Sequence, residues 1–332
     1  PFLLQTEYHF LHDRIHQAVY DSLNREEKAR IHLKVGRMLR ELYSEKQIED
    51  HLFQFIGHFN KGILFLEPSE KKWLAGCNLR AAKKAKASGV YSSAYFFADA
   101  GFHLLPEKSW NQHDPLMFPL CSEAAETAAL SGKHEEMEHF LGICQEYARD
   151  VLDQSRIHEI RTLSLIAQNK QQEAVQETIT LLKGLGIKFT SKPRTYHVLV
   201  QLFKTRTLLA RMKREDLASL PEMKDPRVLT AMRNMAGIIS VLYRTDPSLF
   251  FFFVFKLIRL TLKHGVAPIS PVSFITFGLL TNAIFGNIPK AYDLGKIGMQ
   301  LFNRIDGRKH WAQASYIYNV GVAIWKESLH KC

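Results

Sequence analysis

Histidine and cysteine are the residues here best suited to metal binding or nucleophilic attack; their spacing argues against a metal set, and no Cys sits in a recognisable activating context, although a Cys/His pair needs to be adjacent only in space. His12 and His16 stand four apart, a separation that one helix face can turn into a metal pair. His9 lies nearby, but no carboxylate or thiol completes a ligand set. His51 with His58, and His134 with His139, read as solvated or half-buried helix residues. Cys77, Cys121, Cys144 and Cys332 are far apart in the chain and form no CxxC pair. That usage suits reduced thiols rather than a disulfide framework. No GxSxG elbow marks a serine nucleophile, and no GxxxxGK[ST] loop is present to hold a nucleotide's phosphates. We expect no catalytic residue and no metal ligand in this chain.

The formal charge of +11 invites an anionic partner. Lys83, Lys84 and Lys86 lie close to Tyr91 and Tyr95, so bases could stack there while lysines hold phosphates. The competing reading puts these lysines in water while Ala81, Ala85, Tyr95 and Phe96 pack a helical hairpin. Elsewhere the cations are spread over helix faces, as at Arg206, Arg211, Lys213 and Arg214. The apolar run Leu249–Phe255 is too short for a membrane span, which needs about 20 residues, and Lys256 and Arg259 follow it. It reads as a buried helix. The consecutive phenylalanines Phe250–Phe253 cannot share one helix face, so that helix is contacted on several sides or exposes some rings.

Helical periodicity carries the rest. Leu116, Leu120, Ala124 and Ala128 recur every fourth residue; Ile157, Ile160 and Leu163 every third; Ala174, Thr178, Ile179 and Leu182 form another stripe. Asp114-Pro115, Asp225-Pro226, Asp246-Pro247 and Ser270-Pro271 each set a capping side chain before a proline, which predicts helix starts. Gly186, Gly265 and Gly286 fall where left-handed C-caps belong. Ile187 and Phe189, in the connection Gly186–Pro193, should tuck against the stack. Strand signals are nearly absent; only Glu7–Leu11 alternates.

A loose repeat emerges from the turns. A Gly or Asn stands five residues before a small or flexible residue at Gly89/Ala94, Gly132/Met137, Asn169/Ala174 and Gly286/Ala291. The intervals are 43, 37 and 117 residues, the last being three times 39. A period near 40 predicts one helical hairpin per repeat, as in tetratricopeptide-like solenoids. The signature is lost between Ser191 and Pro247. The first 65 residues differ: helices are expected over Asp13–Leu23, Arg25–Tyr43 and Lys46–Phe65, with a boundary near Glu67–Ser69. A start at Pro1 and an abrupt end at Cys332 lead us to expect a piece of a longer polypeptide.

These residues carry a resemblance. Tyr8-His-Phe-Leu-His-Asp-Arg-Ile-His-Gln-Ala-Val-Tyr20 resembles the end of the ATPase module in large bacterial signalling proteins of the STAND class. Met223-Lys-Asp-Pro226, Asp246-Pro-Ser-Leu-Phe250, Leu260-Thr-Leu-Lys-His-Gly265, Ala291-Tyr-Asp-Leu-Gly295 and Trp325-Lys-Glu327 are similar to the branch that joins an AAA-like ATPase to a helical repeat region. Protein kinase domains often precede that ATPase, and GAF and histidine kinase domains often follow the repeats. The resemblance implies a cytoplasmic signal-transduction protein whose ATP/ADP and Mg²⁺ sit in a domain outside this chain, with no cofactor here. It also implies that His12 and Asp13 sense the nucleotide in the full-length protein, against the plainer reading in which Asp13 caps the next helix and His12 packs.

The expected fold is therefore all-α: a TPR-like helical-hairpin solenoid over 68–332, preceded over 1–67 by a winged-helix or helical adaptor closing the ATPase module. The expected function is a non-catalytic interaction and relay module, bearing on a protein partner, the upstream ATPase and the downstream output domains, with no membrane span. Two rivals stay open: a basic helical-repeat protein that binds nucleic acid, and an enzyme with an unfamiliar helical active site, whose mark would be a deep pocket of convergent polar groups.

Overall fold

A helix that must reverse within three residues needs a backbone position with positive φ, which glycine supplies freely and asparagine tolerates. In the computed structural model, which describes residues 13–106, 108–111, 114–190, 192–305 and 310–327, Gly89, Gly132, Asn169 and Gly286 have φ of 76°, 74°, 61° and 63°. At the first three, paired bonds close the preceding helix as a Schellman cap: Val90 N–H donates to the Ala85 carbonyl at 3.0 Å, Lys133 to Ala128 at 2.9 Å and Lys170 to Leu165 at 2.9 Å. Gly186 closes its helix the same way, with Ile187 donating to Leu182 at 2.9 Å. The residue five places beyond each repeat turn is buried: Ala94, Met137, Ala174 and Ala291 expose 3 % or less.

All described elements are helical apart from one isolated parallel bridge, Glu222 to Val266. The chain divides by packing into two compact units, Pro1–Ala148 and Arg149–Cys332. The first unit holds α1 (Asp13–Ser22), α2 (Arg25–Leu42), α3 (Glu45–Asp50), α4 (Leu52–Lys61), α5 (Pro68–Ala87), α6 (Tyr91–His103), the single turn α7 (Lys108–Asn111), α8 (Met117–Leu130) and α9 (His134–Tyr147). The helix expected over Lys46–Phe65 is split. Ser44 and Gln47 form a capping box that starts α3, α4 restarts at Leu52, and a 3₁₀ turn over Ile63–Phe65 follows. The boundary expected at Pro68 lies inside this unit. Packing runs straight through it: Asn60 and Asn78 exchange two amide hydrogen bonds of 2.9 Å, Arg37 grips Glu70 with two bonds of 2.8 and 2.7 Å, and Trp73 sits edge-on to Phe55 and Phe59. α5 with α6, and α8 with α9, are antiparallel hairpins. Gly101, late in α6, lies so close to Ala75 and Asn78, early in α5, that a Cβ there would meet them at 3.2 and 2.9 Å.

The second unit holds α10 (Val151–Ala167), α11 (Gln171–Gly184), α12 (Thr195–Ala210), α13 (Arg214–Ala218), α14 (Pro226–Thr245), α15 (Pro247–His264), α16 (Ser270–Phe285), α17 (Ile288–Phe302) and α18 (Trp311–Gly321), then a 3₁₀ turn over Ala323–Trp325. α10 with α11 and α16 with α17 are its clearest hairpins. The starts with a capping side chain before a proline hold at α14 and α15, where Asp225 and Asp246 accept backbone N–H bonds from their first turns. They fail at two places. Asp114 caps a turn ahead of α8 rather than the helix itself, accepting from Leu116 at 3.0 Å while Lys72 holds its other oxygen at 2.7 Å. Ser270 is already helical; its hydroxyl faces back, accepting from Ala267 N–H and bonding the Thr261 hydroxyl. α15 is the axis of this unit, packed by α12, α14 and α16. Phe250, Phe252 and Phe253 are buried as a result, and Ile187 and Phe189 do pack on the same core.

Candidate partner-docking surface

α12 is a helix with two apolar faces. At 100° per residue, the spacing of a 3.6-residue turn, Val198, Leu202, Thr205 and Leu209 line one side, and this side is packed: Leu202, Thr205 and Leu209 expose 4 % or less. The opposite side carries Tyr196, Leu199, Val200 and Phe203, exposed at 56, 47, 45 and 58 %. On the same count Arg206 flanks this stripe on one edge, and Lys204 and Arg211 on the other. The Arg206 guanidinium stacks over Phe285 at 4.3 Å, which extends the apolar surface to the half-exposed end of α16 at Ile284 and Phe285. Scattered exposed apolar residues are ordinary, whereas four on one stripe of one helix mark an interaction site.

Along the chain, the charge flanking the stripe is of one sign. From Thr178 to Arg214, 37 residues, there is no acidic side chain, while nine are Lys or Arg. Periodicity does not reveal this surface, because a helix apolar on both sides shows none; the run without acids is the signal in the sequence that does.

The lysines first considered for nucleic acid are largely committed. Lys86 reaches Glu123 at 2.7 Å and Glu126 at 2.5 Å, and Lys84 bonds the Glu49 carbonyl at 2.5 Å. Tyr95 lies between Lys133, 4.6 Å above its ring, and the edge of Phe140. Lys83 and Tyr91 do face solvent. Phe96 departs from the expectation: it is 57 % exposed, beside Phe97, rather than packed into the hairpin.

His9 and His12 lie outside the described residues. Asp13 is the first residue of α1, but its side chain and that of His16 are also outside them. His134 and His139 are exposed, as read. His58 is not isolated: its Nδ1 lies 3.0 Å from Nδ1 of His32, whose Nε2 lies 2.9 Å from the Tyr20 hydroxyl. Burial and the Lys61 ammonium hold both imidazoles below their ordinary pKa. Cys121 and Cys144, 23 residues apart, meet across α8 and α9 with sulfurs 3.1 Å apart, both thiols free and buried. The neighbouring thiol and burial push the Cys121 thiol well above its usual range. Among the described residues no three His, Cys, Asp or Glu side chains gather as metal ligands, and no helix is long and apolar enough to cross a membrane.

Among the later motifs that carried the resemblance, several residues bond or pack within the second unit. Met223 donates to the Val266 carbonyl at 2.9 Å, and Gly265, with φ of 102°, runs so close to Pro221 that a Cβ would meet its carbonyl at 2.5 Å. Tyr292 and Tyr318 both donate to one Glu327 oxygen, at 2.5 and 3.1 Å, with Lys296 3.4 Å away. These donors, the Tyr292 bond first, hold the Glu327 carboxyl below its ordinary pKa. Glycine is needed at 295 because a Cβ would meet Val322 and the Tyr318 ring at about 3 Å.

The chain is similar to a segment of "Hybrid signal transduction histidine kinase G" from Dictyostelium discoideum, with 22% identity over 337 aligned positions that cover 89% of this chain. It spans 10% of that protein's length. No family model matches the chain, and no solved structure matches it.

Proposed function

We propose that this chain is a non-catalytic docking and relay section of a larger signalling protein, and that α12 is the face it docks with. The exposed Tyr196–Leu199–Val200–Phe203 stripe within an acid-free stretch carries the reading. Its occupant is an acidic amphipathic helix of the same polypeptide: apolar residues fill the stripe, and carboxylates meet Lys204, Arg206 and Arg211. Similarity to a segment within a histidine kinase supports the signalling context. On this reading the hairpins form a TPR-like stack, an AAA-like STAND ATPase with its ATP and Mg²⁺ lies outside the chain, and His12 and Asp13 report on its nucleotide. The relay works only if the docked helix binds one state of the switch more tightly than the other.

The test is a photo-cross-linker at Leu199 in the full-length polypeptide. A discrete adduct on an acid-rich segment, lost when Tyr196→Ser and Phe203→Ser are combined, is expected. Absence of an adduct, or one indifferent to those changes, sinks the reading. The acid-free stretch also favours the nucleic-acid alternative, so binding to generic duplex DNA is measured alongside. A steep fall in affinity with salt there would favour that alternative.

A further inference from the structure

We propose that the cleft between α1, α2 and the end of α4 is a binding site for a phosphate-type dianion, separate from the α12 face. Tyr20, Arg25, Lys28, Ala29, His32 and Lys61 line it, and the cleft, open to solvent, has a volume of about 380 Å³. Three of the six are permanent cations and none is a carboxylate. The nearby acids Asp21, Glu26 and Glu27 are not among the lining residues: Asp21 accepts from the Gln17 amide at 2.8 Å along α1, and Glu27 accepts from Asn24 N–H at 2.8 Å in the capping box that starts α2. Lys28 sits 4.7 Å over the Tyr20 ring, so its ammonium and the phenol hydroxyl share the cleft. Cations gathered in a cleft whose lining holds no carboxylate repel one another, and a doubly charged oxyanion relieves this while taking several charge-assisted hydrogen bonds. The volume leaves room for a phosphate and a small organic group attached to it.

The hydrogen-bonded chain behind the cleft gives the site a direction. Only one proton lies between the facing Nδ1 atoms of His32 and His58. If neutral His32 holds it, His32 Nε2 is an acceptor and the Tyr20 O–H donates to it, leaving the phenol nothing to donate outward. If His58 holds it, neutral His32 carries its proton on Nε2 and donates to the Tyr20 oxygen. The phenol O–H is then free to donate to a ligand. A bound oxyanion therefore selects the second arrangement, and it offsets the Lys61 charge that, after burial, lowers the pKa of both imidazoles. The switch shifts one proton along each link, from the Tyr20 hydroxyl to His32 Nε2 and from His32 Nδ1 to His58 Nδ1, while His58 Nε2 releases one to water and Tyr20 regains one; the number of protons is unchanged and no other covalent bond is altered, so the site binds and reports without reacting.

The experiment follows the histidine ring resonances of the 332-residue chain during titration with glycerol phosphate at constant ionic strength, with sodium chloride as reference. A second arm uses vesicles containing phosphatidic acid. Saturable shifts confined to His32 and His58, with both titrating at higher pH in the presence of ligand, are expected. Lys28→Gln with Lys61→Gln should weaken the response at least about tenfold, since each charge-assisted bond is worth that much. Arg40→Gln, whose guanidinium stacks on Trp73, should leave it unchanged. A response to glycerol phosphate assigns a free phosphate ester, and a response to vesicles alone assigns a lipid headgroup. Failure of both arms to exceed chloride, or an undiminished response in the double variant with its helical circular dichroism intact, overturns the proposal. Neither result bears on cross-linking at Leu199.

Discussion

His32 and His58 give up a proton more easily in the folded chain than in the unfolded one, where each titrates near 6.5. The unfolded state therefore binds more protons as pH drops below about 6.5, and stability falls with it. Glu70 and Glu177 act in the next window down. Arg37 and His158 hold these carboxylates below their ordinary 4.5, so their contribution is present above that value and lost as pH falls through the folded pKa. Urea midpoints measured from pH 7.5 to 3.5 should decline in two stages, and His32→Gln with His58→Gln should flatten the upper one. A midpoint constant between pH 7 and 5.5 would contradict this. The thiols give a second check. Cys77, Cys121 and Cys144 are buried, and burial pushes the Cys77 thiol up. Thiolates, not thiols, attack disulfide reagents. In a Cys332→Ser background, an aromatic disulfide reagent should find no reactive sulfur until denaturant is added.

Helix contacts at glycine set opposite expectations for one substitution. Gly298 in α17 faces α16 so closely that a Cβ would meet the Pro271 carbonyl at 2.7 Å and Ile275 at 2.6 Å. Gly298→Ala should cost about 1–3 kcal/mol through overpacking. Gly237, inside α14, has nothing within 4 Å of where a Cβ would stand, and Gly237→Ala should stabilise by about 0.5–1 kcal/mol through helix propensity. Thermal unfolding of both variants decides the pair. Asn169 is the one described non-glycine residue at positive φ; Asn169→Ala should destabilise by about 1 kcal/mol, and Asn169→Gly should be tolerated. The hairpin turns were legible in the sequence because φ > 0 restricts residue type so strongly that the requirement shows as spacing. Asp225 and Asp246 were legible for a similar reason: a cap needs a particular oxygen next to its helix. Ser270 was misread because a hydroxyl can turn to a neighbouring segment, Thr261 and Ala267, which sequence order does not reveal. The His32–His58 contact and the Cys121–Cys144 pair join residues more than twenty apart, and no local pattern encodes them.

At the level of the whole chain, exposed and buried apolar residues on one helix should separate docking from folding. Tyr196→Ser, Leu199→Ser and Phe203→Ser together remove side chains that are about half exposed or more, and surface changes of this kind usually stay within about 0.5 kcal/mol each. Leu202→Ala, on the packed side of the same helix, should cost about 2–5 kcal/mol. Scanning calorimetry on the two variants tests whether α12 has the two faces described; comparable losses would mean that the stripe is part of the core. The turns carry one more consequence. Gly89, Gly132 and Asn169 each close a hairpin whose partners are neighbours in the chain, so no distant segment is needed before those helices can pair. Proteins dominated by such local contacts fold quickly, and growing chains fold from the N-terminal end. Each of these hairpins should thus collapse as its second helix leaves the ribosome. On stalled nascent chains, protection from protease should appear in steps of one hairpin and not all at once at release.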